Sequence, residues 1–367
     1  MADTYVIAEV GTGHGGDITR AAELIAAARE CGADCAKFQY VIADEIVHAA
    51  TGCVMLPGGA TALHERFRSL EQPLEFYEKL KQACDSTGID FLCTPFGVGS
   101  ARALRRIAPD AVKIASPELN HTQLLHELAT YGLPLIVSSG VSTLSDIEYA
   151  LSILGRSRVT LLHCITAYPA PEDEYNLNLI PALGRVLGIP VGVSDHSQDE
   201  HLVPGIATAL GATVVEKHFT LSREGNGLDD SIAMDPAMFS RMVATIRRVD
   251  AIVLLEPDTG AHRAIGEFTR EYGTERVAKV MGDGVKRLAP REAASYRTSR
   301  RSLLAVRDLP EDSVIRETDI AALRSETLAP GLEPKYADVV VGARLRRPLR
   351  SAEAITWTHL LQPQRRQ

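Results

Sequence analysis

Two hydrophobic patterns alternate along this chain. Short apolar runs rich in β-branched residues are each followed by a longer stretch in which apolar positions recur every three or four residues, as in Thr19–Glu30 and Leu144–Leu154. The eight short runs predict strands at Tyr5–Val10, Cys35–Tyr40, Phe91–Phe96, Ala111–Ser116, Pro134–Ser139, Val159–Cys164, Pro190–Asp195 and Val214–Phe219. Eight strands that are each followed by a helix predict an α/β fold of the TIM-barrel type, a closed (β/α)8 barrel.

The alternative fold is an open, doubly wound sheet, which usually carries a glycine-rich phosphate turn after its first strand. Residues 11–16, GTGHGG, follow the first predicted strand, but their glycines are not spaced as in GxGxxG. We therefore interpret this run as a loop at the mouth of a barrel.

The length of the chain leaves room for a second domain. The chain has 367 residues, whereas a TIM barrel needs about 250. The last barrel helix is predicted to end near Leu255, so residues 1–255 form the barrel domain. Residues 256–298 are polar and mixed, with a helical middle at Ile265–Val280, and predict a linker. In residues 299–367, short apolar runs separated by turns predict a small, loop-rich domain.

Candidate chemistry gathers at one end of the predicted strands. Active sites of TIM barrels form where the carboxyl ends of the strands meet. Each strand carries polar side chains at or just beyond that end: Glu9 and His14; Lys37 and Gln39; Thr94; Lys113, Ser116 and Glu118; Ser138; His163, Thr166 and Tyr168; Ser194, Asp195 and His196; Glu216 and His218. Because side chains alternate along a strand, Glu216 and His218 share a face and Lys217 points the other way.

The charges of this set favour a small anionic ligand. If the shared faces point inward, Lys37 and Lys113 converge with the hydroxyl groups of the set, and such a cluster suits a phosphate or a carboxylate. The alternative is that both lysines only form ion pairs with Glu9 and Glu118. Two buried lysines are costly without a ligand to bind, which favours the anion site. The hydroxyls belong to Thr94, Ser116, Ser138 and Ser194.

Two histidines predict a metal site. His196 and His218 end neighbouring strands, and Asp229 follows shortly after. Two imidazoles with water completing the shell suit Mn²⁺ better than a closed structural zinc site. We interpret His163 as structural support or as a residue that lies behind the metal ligands.

Composition excludes other classes of function. The net charge of −8 argues against a nucleic-acid partner, because such a protein presents a basic surface to phosphates. The N-terminal sequence lacks the pattern of a secretory leader, and no apolar run approaches the roughly 20 residues that span a membrane. The six cysteines form no CxxC pair and predict reduced thiols in a cytoplasmic protein.

The same segments resemble the sialic acid synthase family, which includes the N-acetylneuraminate, legionaminate and pseudaminate synthases. The matching segments are IAEVG at 7–11, GADCAKFQ at 32–39, FLCTPF at 91–96, KIASPELNH at 113–121, SSGVSTLSDIE at 138–148, LLHCITAYPAPEDEYNL at 161–177, GVSDHS at 192–197 and ALGATVVEKHFTLSRE at 209–224. Two further segments, RRSLLAVRDL at 300–309 and DIAALR at 319–324, resemble the antifreeze-like (SAF) domain of this family, which has a β-clip fold.

The resemblance implies a reaction. Members condense phosphoenolpyruvate with a sugar aldehyde, giving a 2-keto-3-deoxy sugar acid and phosphate by C–O cleavage. It also implies a divalent metal on His196 and His218, with Mn²⁺ expected and Mg²⁺ or Co²⁺ as alternatives. The acceptor sugar is N-acetylmannosamine or a variant of it.

The resemblance further assigns roles to single residues. The phosphoenolpyruvate site corresponds to Lys37, Thr94, Lys113, Ser116, Ser138, Thr166 and Ser194. The catalytic carboxylates correspond to Glu9, Glu118, Glu216 and Asp229, and Glu118 is expected to stabilise the reacting centre or activate water. The acceptor site corresponds to Gln39, Tyr168, Asp229 and Arg324. Arg324 belongs to the C-terminal domain, which reaches the partner subunit in the family, so a domain-swapped homodimer is expected.

Three positions depart from the family pattern and predict an altered acceptor sugar. Gly13, Gly59 in the run Pro57-Gly58-Gly59, and Thr166 each stand where N-acetylneuraminate synthases commonly or sometimes have Asn. Two other functions stay open. A Schiff-base pyruvate aldolase would use an inward lysine, and a non-catalytic protein would only bind a sugar or phosphate.

Overall fold

The strands form one barrel and two small sheets in the computed structural model, which describes residues 3–56, 59–225 and 227–360. In chain order they are β1 Tyr5–Gly11, β2 Cys35–Tyr40, β3 Cys53–Leu56, β4 Gly59–Ala62, β5 Asp90–Pro95, β6 Ala111–Ile114, β7 Leu135–Ser138, β8 Val159–Cys164, β9 Val191–Asp195, β10 Val214–His218, β11 Arg301–Ala305 and β12 Ile320–Arg324. Strands β1, β2 and β5 to β10 are parallel and close into a barrel in which β1 pairs with both β2 and β10. The eight predicted barrel strands are confirmed.

The helices follow the barrel strands and extend beyond them. They are α1 Ile18–Glu30, α2 Leu63–Arg68, α3 Leu74–Thr87, α4 Val98–Ile107, α5 Thr122–Ala129, α6 Leu144–Leu154, α7 Leu179–Leu187, α8 Leu202–Ala209, α9 Pro236–Leu255, α10 Gly260–Tyr272, α11 Thr274–Met281, α12 Pro290–Ala293, α13 Ala337–Val340 and α14 Trp357–Leu360. The start of α9 is set by local chemistry: the Asp235 side chain accepts the Met238 N–H, and Pro236 takes the first helical position.

Alternation along each barrel strand separates two environments. On β1, Val6 and Ala8 point outward into the main apolar core, which the surrounding helices share. Ile7 points inward and packs with Leu92 and Leu162 in a small cluster inside the barrel. Glu9 has the same inward parity as Ile7 but lies two residues nearer the carboxyl end. The barrel interior is therefore apolar below and polar at its mouth.

The predicted linker contains three helices, and its apolar side chains belong to the core of the barrel. Phe268 on α10 and Val280 on α11 are almost completely buried there. Gly273, at a φ of +85°, divides the predicted helical stretch into α10 and α11. In α8, a Cβ atom at Gly205 would overlap the Phe268 ring, so glycine at this position lets α10 pack closely.

The C-terminal domain has its own core and docks on the barrel mouth of the same chain. Strands β11 and β12 are antiparallel, and residues such as Leu303 and Leu345 form a separate apolar cluster. The Asn120 amide exchanges two hydrogen bonds of 2.9 and 3.0 Å with the backbone of Arg301. The Arg324 N–H donates to the carbonyl of Ile46 at 2.9 Å. The end of β12 thus lies at the edge of the barrel mouth.

Two predictions from composition can be compared with the structure. Within the described ranges, no helix combines the length and the apolar character needed to cross a bilayer. All six cysteines are free thiols, five of them buried and Cys53 exposed.

Candidate active site at the mouth of the barrel

A cavity of about 270 Å³ opens at the carboxyl ends of the barrel strands. It is lined by nearly all the residues that the strand-end rule and the resemblance selected. These are Glu9, Lys37, Gln39, Thr94, Lys113, Ser116, Ser138, Thr166, Tyr168, Ser194, His196, Glu216, His218, Asp229 and Arg324. The structure therefore brings together side chains from all eight barrel strands or the loops after them, and one arginine from the C-terminal domain.

Two buried lysines and two buried carboxylates form the floor of the cavity. The Lys37 Nζ lies 2.6 Å from Glu9 Oε2 and 3.5 Å from Glu216 Oε2. The Lys113 Nζ donates to Ser138 Oγ at 2.6 Å and lies 3.7 Å from Glu216 Oε1. Burial alone would raise the pKa of Glu216, but Lys113 and Lys37 lower it to about 2. Glu216 therefore stays ionised at neutral pH and connects the two cations.

The lysines differ in how their charges are balanced. Burial tends to lower the pKa of Lys37, but Glu216 and Glu9 outweigh burial and raise it. For Lys113, burial dominates and the pKa is lowered. Lys113 is thus the cation with the greater need for a negative partner, and an anionic ligand in the cavity would supply one.

Several hydroxyl groups line the cavity beside the lysines. The Thr94 and Thr166 Oγ1 atoms are buried and have no hydrogen-bond partner among the described residues. Ser194 Oγ donates to Glu216 at 2.9 Å, and Ser116 Oγ accepts the Gly140 N–H at 3.0 Å. Because buried polar groups are rarely left without partners, the two threonines indicate that a polar ligand completes this site.

Two histidines stand together at one side of the cavity. The ring centroids of His196 and His218 are 5.5 Å apart. His196 Nδ1 lies 2.8 Å from the carbonyl of Ile165, so Nδ1 carries the proton and the Nε2 lone pair is free. His218 Nδ1 lies 3.5 Å from Asp229 Oδ2. Burial lowers the pKa of both imidazoles, so both are neutral at pH 7, as metal ligation requires.

The two imidazoles fit a divalent cation with an open coordination shell. In the described part of the chain there is no cluster of three or more His, Cys, Asp or Glu side chains arranged to bind a metal. A cation between His196 and His218 would therefore take its remaining ligands from water or substrate oxygen atoms. Such a shell suits Mn²⁺, Mg²⁺ or Co²⁺ better than a closed zinc site.

The loop that carries His196 is held from outside the barrel. The His196 N–H donates to the Tyr175 hydroxyl at 2.6 Å. The Lys217 Nζ donates to Asp195 Oδ2 at 2.7 Å and to the carbonyl of Ser197 at 2.6 Å. The prediction that Lys217 points away from Glu216 and His218 is confirmed. Asp195, although it ends a barrel strand, belongs to this outer support and not to the cavity.

Glu118 is not among the residues that line the cavity, and the catalytic role that the resemblance implied for it stays a prediction. Its side chain is completely buried behind Arg324, and its Oε1 accepts from Arg301 Nη2 at 2.8 Å and Arg324 Nη2 at 2.7 Å. Ser116–Glu118 form a 3₁₀ turn after β6, so Ser116 faces the mouth while Glu118 turns toward the C-terminal domain. Nor does Glu118 pair with either lysine, as the alternative without a ligand required.

The cavity also has lining residues that sequence reasoning did not select. Phe67 and Phe96 supply apolar wall, and the Arg324 guanidinium lies 5.4 Å from the centroid of the Phe96 ring. Ser299 precedes β11, and Glu326 follows β12 at a φ of +51°. The strand-end rule applies only to the barrel, so it could not have found residues from the C-terminal domain.

The other two strand-end histidines lie outside the cavity. His14 packs with its ring centroid 4.8 Å from that of Phe76, and burial lowers its pKa to about 4. His163 Nε2 contacts the carbonyl of Tyr175, and burial lowers its pKa to about 3. This agrees with the structural role predicted for His163.

Of the three positions that depart from the family pattern, only Thr166 is among the lining residues that the structure describes. Thr166 lines the cavity, whereas Gly13 is not among the lining residues that the structure describes. Gly59 lies in β4, and Pro57 and Gly58 are outside the described residues. Thr166 is therefore the one of the three positions whose side chain can contact a ligand in the cavity.

A larger and more open cleft of about 820 Å³ lies between the loop after β8 and helices α10 and α11. One of its cations, Arg276, is already paired with Glu172 at 2.8 Å and Asp199 at 3.2 Å. The smaller cavity, with its unpartnered hydroxyls, is therefore the candidate active site.

Comparison with known proteins gives the same picture over nearly the whole chain. The NeuB family model matches residues 24–254, and the SAF domain model matches residues 300–361. The N,N'-diacetyllegionaminic acid synthase of Legionella pneumophila is 31% identical over 368 residues, covering 97% of this chain and 94% of that protein. The predicted TIM barrel followed by a SAF domain is confirmed.

Solved structures are also similar to this chain. The spore coat polysaccharide biosynthesis protein SpsE of Bacillus subtilis matches with a TM-score of 0.82 and 30% identity, covering 99% of this chain and 96% of that one. The N-acetylneuraminic acid synthetase of Leptospira borgpetersenii, in complex with citrate, matches with a TM-score of 0.64 and 31% identity, covering 73% and 92% of the two chains.

Proposed function

This chain belongs to the NeuB family, and we propose that it condenses phosphoenolpyruvate with a sugar aldehyde to give a 2-keto-3-deoxy sugar acid and phosphate. Relatives of this chain are named as synthases of legionaminic and sialic acids, so it is a transferase of the same kind. The observation that carries the proposal is the meeting of Lys37, Lys113 and the unpartnered threonine hydroxyls next to a pair of neutral histidines.

The cavity floor offers what phosphoenolpyruvate needs. Lys37 and Lys113 face its two anionic groups, and Ser138 and Ser194 already donate or accept hydrogen bonds at the same level of the barrel. Thr94 and Thr166 present hydroxyls without partners. Together these groups fix the orientation of the anion and expose its C3 carbon toward the mouth.

A divalent cation on His196 and His218 would polarise the aldehyde of the acceptor as a Lewis acid. The hydrogen bond from His196 Nδ1 to Ile165 orients one imidazole, and Asp229 faces Nδ1 of the other. Partners of this kind orient metal ligands in proteins generally. We propose Mn²⁺ as the resident ion, with Mg²⁺ and Co²⁺ as alternatives.

The bonds change in a defined order. C3 of phosphoenolpyruvate attacks the aldehyde carbon, and positive charge develops at C2. Water adds at C2, and the C2–O bond to phosphate then breaks, so the phosphate leaves with the bridging oxygen. Glu9 and Glu216 lie among the reacting groups and stabilise the positive centre. Asp229, at the more open side beside His218, is placed to take a proton from water or give one to the new alkoxide.

The acceptor sugar binds at the outer part of the cavity. Gln39, Tyr168 and Arg324 line this part, and Tyr168 is 49% exposed at the rim. Glu326, whose pKa burial raises, adds a carboxyl group beside Arg324. The acceptor therefore contacts both a cation and a carboxyl group of the C-terminal domain. We expect the sugar to carry hydrogen-bond donors as well as acceptors at this end.

The family resemblance also supports a homodimer with exchanged C-terminal domains, which we keep as a proposal. In the single chain described, Arg324 already reaches its own barrel. Mixing the variants Arg324→Ala and His218→Ala, assayed at an acceptor concentration at which each alone gives little turnover, distinguishes exchange between subunits from docking within one chain. Exchange between subunits restores one intact site per heterodimer, and activity returns. Docking within one chain restores none.

The proposed function is tested by phosphate release from phosphoenolpyruvate with Mn²⁺ across a panel of aldoses. The panel includes N-acetylmannosamine, mannose and 2,4-diacetamido-trideoxyhexoses. Phosphate release with one acceptor, together with the mass of the matching keto acid, would establish the reaction and its acceptor. Borohydride trapping of pyruvate on a lysine would instead identify an aldolase. Phosphoenolpyruvate binding without release for any acceptor would identify a binding protein.

The free thiols suit a reducing compartment, and we propose that the enzyme works in the cytoplasm.

A further inference from the structure

A buried glutamate in the segment between the two domains joins two loops of the active site. Glu292 lies in α12 and is 0% exposed. Its Oε1 accepts the Val141 N–H at 2.7 Å and the Thr166 N–H at 2.8 Å. Its Oε2 accepts the Ala289 N–H at 3.3 Å, which caps α12. One carboxylate oxygen therefore bridges the loop after β7 and the loop after β8.

These two loops carry groups that line the cavity. The Gly140 N–H donates to Ser116 Oγ at 3.0 Å, and Thr166 contributes one of the unpartnered hydroxyls. A Cβ atom at Gly140 would overlap Thr166 Oγ1, so the two loops are packed against each other. Val141 is held at a φ of +42°, an uncommon conformation for a β-branched residue. The Glu292 hydrogen bond holds the backbone at this strained point.

Hydrogen bonds to backbone N–H groups, not a contacting cation, hold the Glu292 carboxylate. In the described ranges of the chain, no cationic side chain lies within 4.0 Å of its carboxylate. Lys286 of the same segment is near enough for the charge of Glu292 to act against the lowering of its pKa by burial, and its Nζ donates to the carbonyl of Ser139 at 3.3 Å. Burying a carboxylate without a contacting cation costs free energy, which its hydrogen bonds must offset. Because these hydrogen bonds join the loop after β7 to the loop after β8, the position of the carboxylate fits a role in holding the two loops together.

We propose that Glu292 is a positioning residue for phosphoenolpyruvate, acting through Ser116 and Thr166. The carboxylate holds the two loops at the separation that lets both hydroxyls face the same anion. This inference rests on the proposed function, because it assigns the anion to phosphoenolpyruvate. The active site would also be incomplete in the barrel domain alone, since Glu292 belongs to the segment that follows the barrel.

Three variants at one position test the role of the bridging oxygen. Glu292→Ala removes it, Glu292→Asp withdraws it by one methylene, and Glu292→Gln keeps it at the same reach without the charge. We expect Ala and Asp to raise the KM for phosphoenolpyruvate about tenfold or more, the range typical of residues that orient ligand-binding groups. We expect Gln to stay within about threefold of the wild type, and the acceptor KM to change little in all three.

The neighbouring Arg291→Ala is the matched control, because Arg291 lies on the same short helix and its side chain is exposed. Thermal melting of each variant separates loss of fold from loss of positioning, and the Asp variant keeps the test open if the Ala variant does not fold. An unchanged KM for phosphoenolpyruvate in Asp, or a Gln variant as impaired as Asp, would overturn the proposal. A rise of both KM values together would overturn it as well.

Calorimetric titration of phosphoenolpyruvate in the presence of Mn²⁺ separates this inference from the proposed function. If the wild type binds phosphoenolpyruvate but turns over no acceptor, the proposed reaction is wrong. The role of Glu292 is still supported if the Ala and Asp variants bind phosphoenolpyruvate more weakly than the wild type and the Gln variant do. If the wild type does not bind phosphoenolpyruvate, both fail.

Discussion

Replacement of Glu118 by alanine distinguishes a carboxylate that reacts with substrate from one that holds the C-terminal domain. Glu118 is completely buried, and its Oε1 is shared by Arg301 and Arg324. The variant leaves Arg301 as a buried cation without its carboxylate. It also frees Arg324, which lines the acceptor side of the cavity.

The stability cost can be estimated from the partners that remain. Removing one member of a buried ion pair costs about 3–5 kcal/mol. Arg301 keeps hydrogen bonds to the carbonyls of Phe96 at 2.7 Å and Ala322 at 3.2 Å, and Arg324 faces the cavity. We therefore take the lower end, about 3 kcal/mol. Since about 1 kcal/mol shifts the melting temperature of a domain of this size by roughly 2–4 °C, we expect a loss of about 6–12 °C.

The assay combines thermal melting with steady-state kinetics. Circular dichroism gives the melting temperature of the wild type, Glu118→Ala and the exposed control Glu317→Ala, which should melt within about 2 °C of the wild type. The same preparations are assayed for phosphate release at varied acceptor and varied phosphoenolpyruvate. Because Arg324 loses its anchor, the acceptor KM should rise about tenfold while the KM for phosphoenolpyruvate changes little.

A different outcome would refute this reasoning. If Glu118→Ala keeps its melting temperature and both KM values but loses kcat by about a thousandfold, Glu118 takes part in the chemistry, as the family resemblance implied. The cavity would then have to open toward Glu118 when substrates bind. If nothing changes, the two arginines are held by backbone carbonyls alone.

Three further predictions follow from the histidines and from Arg324. His218→Ala should lose Mn²⁺-dependent turnover while its melting temperature without metal changes little; normal activity at saturating Mn²⁺ would exclude the metal assignment. Arg324→Lys should raise the acceptor KM about tenfold, because lysine lacks the planar fork of arginine; an unchanged acceptor KM would mean that Arg324 does not meet the sugar. Burial lowers the pKa of His14 to about 4, so its contribution to stability is present above about pH 6.5 and is lost as the pH falls toward 4. His14→Gln should therefore flatten the fall in melting temperature across this range, and an unchanged slope would assign the acid sensitivity to other groups.

The barrel was predictable because each of its strands carries a local signal. Val159–Cys164 and Cys35–Tyr40 were placed with their observed bounds, since apolar residues dominate both short runs. The hairpin of β3 and β4 was missed, because β4 consists of glycine, alanine and threonine and shows no apolar β-branched run. The helices α10 and α11 were taken for a linker because their exposed faces are strongly polar, although Phe268 and Val280 are buried.

The site residues that lie on strands were predictable, because the alternation of side chains applies only within strands. Glu9, Lys37 and Glu216 lie on strands, so alternation alone directs them into the barrel. Glu118 lies in a 3₁₀ turn after β6, where alternation no longer sets the direction of a side chain. Glu292 and Glu326 come from outside the barrel, and only the packing of the linker segment and of the C-terminal domain against the barrel brings them near the cavity. Such tertiary placement leaves no local pattern in the sequence.

The charges around the cavity couple the anion site at the lysines to the metal site at the histidines. Its charged lining consists of three cations and four carboxyl groups, namely Lys37, Lys113, Arg324, Glu9, Glu216, Asp229 and Glu326. The histidines are neutral, so this lining does not by itself attract an anion that carries both a carboxylate and a phosphate. The lysines are already close to Glu9 and Glu216, so they orient such an anion more than they draw it in. Two neutral imidazoles beside them provide the place for a divalent charge that would reverse the balance. On this electrostatic ground, metal binding and phosphoenolpyruvate binding should each strengthen the other, and the histidines and lysines act as one unit.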